Sequence, residues 1–286
     1  MRTTVIIPTY NRSASLKTCL SALARQKNTA FEWEVIVIND GGEALDLIVF
    51  EKLLNIRYFY QENAGPGSAR NKGVELARGQ FILFTDDDCE PHSLWVSEMT
   101  TTLAPNRLVA GHTINKLKNY AGSEASQLLL DYLTGALKNT PEYFFTSNNL
   151  GIAKSDFLDL GGFDRDFYTS AGEDREFTVR AGFKGYELVK AKNAIMYHAH
   201  ALSPWQFWNM HFKYGRATHI YHAVKTKRGI IFKSPLQFWF YVNLVFYPFK
   251  RMEFSRLKQY QLFAFLLVSQ IATVAGYLRN RSSFKN

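Results

Sequence analysis

Cysteine is nearly absent: Cys19 and Cys89 are the only two in 286 residues. Two cysteines make neither a disulfide framework nor a zinc site, and they point to a reducing compartment. Cys89 reads as a small filler, not a nucleophile. The first residues, Met1-Arg2 before Thr3-Thr4-Val5-Ile6-Ile7-Pro8, are too short and strand-like for a signal peptide, so none is expected. Internal repeats and low-complexity segments are missing as well. Acidic residues are scarce at one end. From residue 201 onward there are 13 Lys and Arg against one acidic residue, Glu253, whereas residues 1–200 carry 21 basic and 24 acidic residues. All the excess positive charge is therefore C-terminal, with 20 of the 43 aromatics. Two compositional halves with different tasks are expected, 1–200 and 201–286. No apolar run clearly reaches spanning length. Leu236–Phe249 is short for a bilayer, and Gln261–Leu278 is at the lower limit and polar in its middle. Basic flanks with Trp and Tyr at the ends suit segments lying in a membrane interface, with a helical hairpin packed on the globular part as the alternative.

The N-terminal half alternates strand and helix signals. Thr4–Pro8, Glu34–Asp40, Ile56–Tyr60 and Phe81–Thr85 are short apolar runs of buried-strand type. Ser15–Gln26 has helical spacing, and Ala69–Ala77 follows a Gly65-Pro66-Gly67-Ser68 loop. Strands separated by helices imply an α/β fold with a parallel sheet covered on both faces. Farther on, Asn148–Ala153 and Ala194–Tyr197 read as strands, and Gln127–Leu137, Asp174–Ala181 and Trp205–Val224 as helices.

Three acidic points stand out. Asp86-Asp87-Asp88 ends the fourth strand with no basic residue within several positions. Such a cluster calls for a neutralising cation, and Mg²⁺ takes one or two carboxylates plus phosphates. In open α/β sheets, ligands sit at the carboxyl ends of strands. Asp40 ends the second strand, where Gly41-Gly42 lets a ligand approach the backbone. Glu173-Asp174 opens a helix after Ser170-Ala171-Gly172, as a cap or a general base. Arg70, Asn71 and Lys72 near a helix start suit an anion.

These pieces together resemble glycosyltransferase family 2, of the bacterial, non-processive type. They are Val5–Arg12, Val35–Gly42, Gly67–Gly73, Asp86–Asp88, Gly161–Asp164 and Gly172–Asp174, in the family's order. The resemblance covers roughly residues 3–200. It implies the GT-A fold, a Rossmann-like, mostly parallel sheet with helices on both faces, plus a helical, partly apolar C-terminal extension. It implies that Pro8, Thr9, Tyr10, Arg12, Asp40, Gly41, Arg70, Asp86 and Asp87 bind the nucleotide-sugar donor. Asp86 and Asp88 would hold Mg²⁺ or Mn²⁺, with Asp87 as spacer and His198 or His200 as a further ligand. Asp174 would be the base and Glu173 would orient the acceptor, a glycan or lipid-linked glycan. Inversion at the anomeric carbon is implied by the family, not by spacing. The tail lacks Gln-X-X-Arg-Trp, the signature of processive synthases, so transfer of single sugars is expected.

Two other classes fit the sequence less well. A sugar-phosphate nucleotidyltransferase would have a Gly-rich loop and a basic residue after the first strand, where Pro8-Thr9-Tyr10-Asn11-Arg12 stands. Nucleic-acid binding by the tail would interleave Lys and Arg with the aromatics, whereas here they flank apolar runs. Expected partners are therefore a sugar donor, a glycan acceptor and a membrane surface at the inner face of the cell membrane, without nucleic acid.

Overall fold

Strands buried on both faces read as unbroken apolar runs, and three such runs build the middle of the sheet. They are β1 (Arg2–Thr9), β2 (Glu32–Asp40) and β4 (Phe81–Thr85), with β3 (Ile56–Gln61) at one edge. The computed structural model describes residues 2–168, 172–231 and 238–283. Ser170 and Ala171, read as a loop, and Leu236 and Gln237, read as the start of an apolar stretch, lie outside the described residues. Eight strands form one sheet in the order β3-β2-β1-β4-β7-β6-β8-β5. The later ones are β5 (Cys89–Pro91), β6 (Arg107–Asn115), β7 (Asn149–Ala153) and β8 (Glu187–His198). β1 pairs in parallel with β2 and β4, and β2 with β3. β7 runs antiparallel to β4 and β6, and β5 antiparallel to β8. The expected parallel sheet is thus the half that carries β1 to β4, continued by a mixed half.

The chain forms two compact units, one of residues 1–114 and 145–199, the other of residues 115–144 and 200–286. In the first unit, side-chain alternation along β1 sorts the two faces. Val5 and Ile7 pack with Leu16, Leu20 and Leu23 of α1 (Ser13–Leu23) and with Trp95 and Met99 of α4 (Trp95–Thr102). In sequence, α2 (Ile48–Glu51) and α3 (Pro66–Leu76) come between these helices. On the opposite face α3 lies so close that a Cβ on Gly73 would strike the Ile6 side chain. Phe84 on that face meets Phe157 and Phe163 at ring centroid distances of 5.4 and 5.3 Å.

The helices after α4 are α5 (Ala121–Leu137), α6 (Lys154–Leu160), α7 (Glu173–Phe183), α8 (Pro204–Lys227), α9 (Phe238–Val245) and α10 (Arg256–Ser283). In the second unit, α5, α8 and α10 share a core of Ala125, Leu128, Phe207, Leu262 and Leu266. α8 begins on a reciprocal cap between Ser203 and Gln206. α8 and α10 touch backbone to backbone: a Cβ on Gly215 would overlap the Thr273 carbonyl, and one on Gly276 the Phe212 carbonyl. Lys225 reaches buried Glu142 at 2.8 Å, an ion pair that ties α8 to the segment after α5.

Candidate active site

The carboxyl ends of β1, β2 and β4 meet in the first unit, and polar side chains from four elements converge there. The sequence reading left the acidic triplet without a nearby cation; the structure supplies two arginines from distant positions. Arg12, just past β1, donates through Nη1 to Asp87 Oδ1 at 3.0 Å and to Asp88 Oδ2 at 2.9 Å. Arg70, in the second turn of α3, donates through Nη2 to Asp86 Oδ1 at 2.6 Å. These contacts span 75, 76 and 16 residues of sequence, which is why local inspection misses them.

Asp87 is more than a spacer. It is buried, and Thr9 Oγ1 donates to its Oδ2 at 2.7 Å. Burial pushes its carboxyl up to about 6 despite the opposing Arg12 and Thr9. Asp87 therefore ties the end of β1 to the end of β4. Asp88 has a second neighbour, His198 at the end of β8, whose Nε2 lies 3.3 Å from Asp88 Oδ1. Burial lowers the pKa of that imidazole, and the hydrogen bond to Asp88 together with the negative charges of Asp88 and Asp86 outweighs it, so the net shift is upward. His200 falls in the second unit, where its carbonyl accepts from Ser123 Oγ at 2.6 Å.

Asp40 is buried and both of its oxygens are engaged. Gln61 Nε2 and the Ala64 N–H donate to Oδ1 at 2.6 and 2.9 Å, and the Gly65 N–H donates to Oδ2 at 2.9 Å. Asp40 thereby shapes the entry to α3, which starts at Pro66 and not after the expected loop. Gly65 has φ +88°, and a Cβ there would meet the Tyr168 carbonyl. Gly41, φ +86°, lets the chain pass against Asn63. Tyr10 is half exposed beside these groups in sequence, next to buried Pro8 and Thr9.

The second acidic point comes to the first through Arg70. That guanidinium is buried, and its Nη1 donates to Glu173 Oε1 at 3.0 Å while Nη2 holds Asp86. Burial works against its charge, and the two carboxylates override that. Glu173 is itself buried at the start of α7, and burial followed by repulsion from Asp174 pushes it up to about 7. Asp174 accepts from the N–H of Arg175 at 2.7 Å and of Ser147 at 3.2 Å. Burial also shifts Asp174 upward. Gly67 faces Glu173, leaving a Cβ only 3.4 Å from its Cγ.

Asn71 and Lys72, read as anion contacts, serve the scaffold. Asn71 donates to the Phe163 carbonyl at 2.8 Å and accepts its N–H at 2.9 Å. Lys72 donates to the Tyr60 carbonyl at 3.2 Å. The Gly161-Gly162-Phe163 turn is held from its other side by Arg180, which donates to the carbonyls of Leu160 and Gly162 and forms a two-pronged pair with Glu176. The sequence reading missed Arg180; its signal is the Glu176-Arg180 spacing of one helical turn. It also missed Trp95, whose indole N–H donates to Asn149 Oδ1 at 2.8 Å and anchors β7.

Comparison with known proteins gives the class to which this mixed α/β sheet, with carboxylates and arginines gathered at its strand ends, belongs. Residues 4–158 match the model of Glycosyl transferase family 2, and the chain belongs to that family. Chondroitin synthase of Escherichia coli is 32% identical over 234 residues, covering 68% of this chain and 34% of that protein. The chain thus spans about a third of the length of that relative. Validoxylamine A glucosyltransferase of Streptomyces hygroscopicus subsp. jinggangensis is 28% identical over 199 residues, covering 57% of this chain and 47% of the other. Among solved structures, the mannosyltransferase PcManGT from Pyrobaculum calidifontis in complex with GDP-Man and Mn²⁺ aligns with a TM-score of 0.62 at 14% identity, over 95% of this chain and 86% of that one. S. aureus TarS 1-349 in complex with UDP aligns with a TM-score of 0.54 at 17% identity, over 100% and 91%. These likenesses establish the GT-A fold.

Proposed function

We propose that the chain transfers a single sugar from a nucleotide-diphosphate sugar, a UDP-sugar by preference, to a hydroxyl of a glycan or lipid-linked glycan, with inversion. The observation that carries this reading is the continuous line Asp86–Arg70–Glu173, with Asp174 beside it, which couples the strand-end carboxylates to the start of α7. One end suits the leaving diphosphate and the other the acceptor. Pro8, Thr9, Tyr10, Arg12, Gly41, Asp86 and Asp87 would surround the nucleotide. Asp40 would act indirectly, by holding the loop before α3. Arg70 would set the charge of Asp86 and Glu173 while lying near the diphosphate, since those two bonds use only two of the five N–H donors of its guanidinium.

In the reaction, the acceptor oxygen forms its bond to the anomeric carbon as the bond to the diphosphate breaks on the opposite face. Asp174 takes the hydroxyl proton, and the nucleoside diphosphate leaves with the electron pair. The upward shift of Asp174 makes it a stronger base than an ordinary aspartate once ionised. Glu173 would orient the acceptor.

Asp88 and His198 lie close enough together to share a divalent cation, and Asp86 would add a second carboxylate; carboxylate oxygens and an imidazole nitrogen suit Mg²⁺ or Mn²⁺. When bound, such an ion would neutralise charge on the departing diphosphate. Arg12 on Asp88 would have to yield part of that carboxylate. The likeness to a mannosyltransferase with GDP-Man and Mn²⁺ and to a protein with UDP supports the choice of ligands. Residues 1–200 would supply donor binding and catalysis. The basic extension 201–286 would keep the enzyme at the cytoplasmic face of a membrane, where its acceptor resides, and the relation to chondroitin synthase supports polysaccharide synthesis as the setting.

The test is a thermal-shift screen of UDP-, GDP- and dTDP-sugars with and without Mn²⁺ or Mg²⁺, followed by detection of released nucleotide. A ligand at about 100 times its Kd stabilises by about 2.7 kcal/mol. Metal-dependent stabilisation by one nucleotide sugar is expected. Absence of stabilisation by every donor would contradict the proposal.

A further inference from the structure

One face of α10 has no partner among the described residues, and its pattern is regular. Leu257, Ala264, Ile271 and Leu278 recur every seven residues, with Tyr260, Leu267 and Val274 between them, and all are exposed. Together they form an apolar stripe about 32 Å long at 1.5 Å per residue. The opposite face is spent on the second unit's own core, through Leu262, Leu266 and the contact at Gly276. The helix is long and apolar enough to cross a membrane by length and composition.

Charge decides what the stripe meets. α10 contains no acidic residue, and its basic residues stand only at its ends, Arg256 and Lys258 at one and Arg279 and Arg281 at the other. Residues 201–286 as a whole carry 13 basic residues against one acidic. A second copy would bring basic ends against basic ends or leave them unmatched, whereas an anionic lipid surface complements them. Exposed aromatics of the same unit extend the surface: Phe246 is exposed and packs on Phe263 of α10 at 5.2 Å. A crossing orientation is disfavoured by α8, which runs along α10 from Phe207–Phe265 to the His219–Tyr277 stack. Its exposed Lys213 and Arg216 would be dragged into hydrocarbon.

We infer that α10 lies in the plane of an anionic bilayer, with the Leu257–Leu278 stripe in the acyl boundary and its basic ends among the headgroups. This deepens, and rests on, the reading of the extension as the membrane-facing part of a glycosyltransferase. The test is flotation of the full chain with phosphatidylcholine vesicles with or without about 30 mol% phosphatidylglycerol. Binding to the anionic vesicles is expected, at least about tenfold above neutral ones and weakened by salt. The triple variant Leu267→Glu, Ile271→Glu, Val274→Glu should lose it while keeping a cooperative melt and unchanged donor turnover with a soluble acceptor. Lys258→Gln with Arg279→Gln, which leaves the stripe intact, should weaken binding only to anionic vesicles. Failure of the wild type to float, or full binding by the triple variant, would overturn the inference. So would light scattering that finds a dimer made monomeric by the triple variant, because the stripe would then pair two copies. Absent donor turnover with intact flotation would instead count against the transferase reading alone.

Discussion

The two units handle polarity in opposite ways. In the first, charged side chains are buried and paired: Arg70, Asp87, Glu173, Glu176 and Arg180 are all removed from water. In the second, large apolar side chains face outward, from Trp239 to Leu278. Burying a charge is costly unless it is hydrogen-bonded, and exposing a large apolar stripe gains nothing in water. The Glu176–Arg180 pair serves the fold by holding the Gly161–Phe163 turn. The line Asp86–Arg70–Glu173 and the exposed stripe of α10 are the two places where the proposed donor and the proposed lipid surface would bind.

That contrast can be broken most severely at Arg70. Arg70→Gln would leave Asp86 and Glu173 without their shared counter-charge, and loss of one partner of a buried ion pair costs about 3–5 kcal/mol. Chemical denaturation should register the loss, and the acid limb of the transfer rate should move to higher pH, because Glu173 loses the group that lowers its pKa. A variant as stable as the wild type would mean the pairing has no energetic weight. Next in size, Asp88→Ala should reduce metal-dependent nucleotide-sugar binding by about 100-fold, or about 3 kcal/mol, in calorimetry. Unchanged affinity would remove Asp88 from the donor site.

The second unit is probed by Gly276→Ala. Its methyl group would meet the Phe212 carbonyl, a backbone atom that cannot swing aside, so a loss of about 1–3 kcal/mol is expected in the melt. The donor affinity of the first unit serves as the control and should not change. The last effect is expected from pH. Glu173 and Asp87, raised to about 7 and about 6, bind protons more tightly folded than unfolded, so their stabilisation is present below about pH 4 and is lost as pH rises toward 7. Glu34 has the opposite sign: burial raises it, but hydrogen bonds from the Arg78 N–H, Thr4 and Arg57 bring it below its ordinary value. Its contribution is lost as pH falls, which offsets part of the trend. Urea midpoints measured from pH 4 to 8 should therefore decline; a rise would show that the buried carboxylates are ionised throughout.

Much of this was legible in the residues. β1, β2 and β4 are runs of Val, Ile, Leu and Phe ended by polar residues, and such strands announce themselves. The resemblance to the family rested on those strand ends and was correct about family and fold. β6 and the short β5 were not read, because their pairing is decided by antiparallel partners far along the chain, such as Leu108 with Ile152 and Glu90 with Tyr197. Residues 115–144 show no compositional kinship with the basic tail, yet they pack with it, since α5 shares its core with Phe207 and Leu262. At the site, the residue types were visible and their alliances were not. Arg70 read as a residue near a phosphate, and its two carboxylates, 16 and 103 positions away, were not visible. Asp87 read as a spacer, and only the fold brings Thr9 to it, 78 positions distant.

The most direct measurement compares donor binding and sugar transfer in Asp174→Asn. This side chain keeps the size of the original and loses the ability to take a proton. If Asp174 is the base at the acceptor end of the Asp86–Arg70–Glu173 line, transfer should fall by about 10²–10⁴-fold while calorimetric affinity for the nucleotide sugar stays within about twofold. Transfer at the wild-type rate by this variant would contradict the assignment.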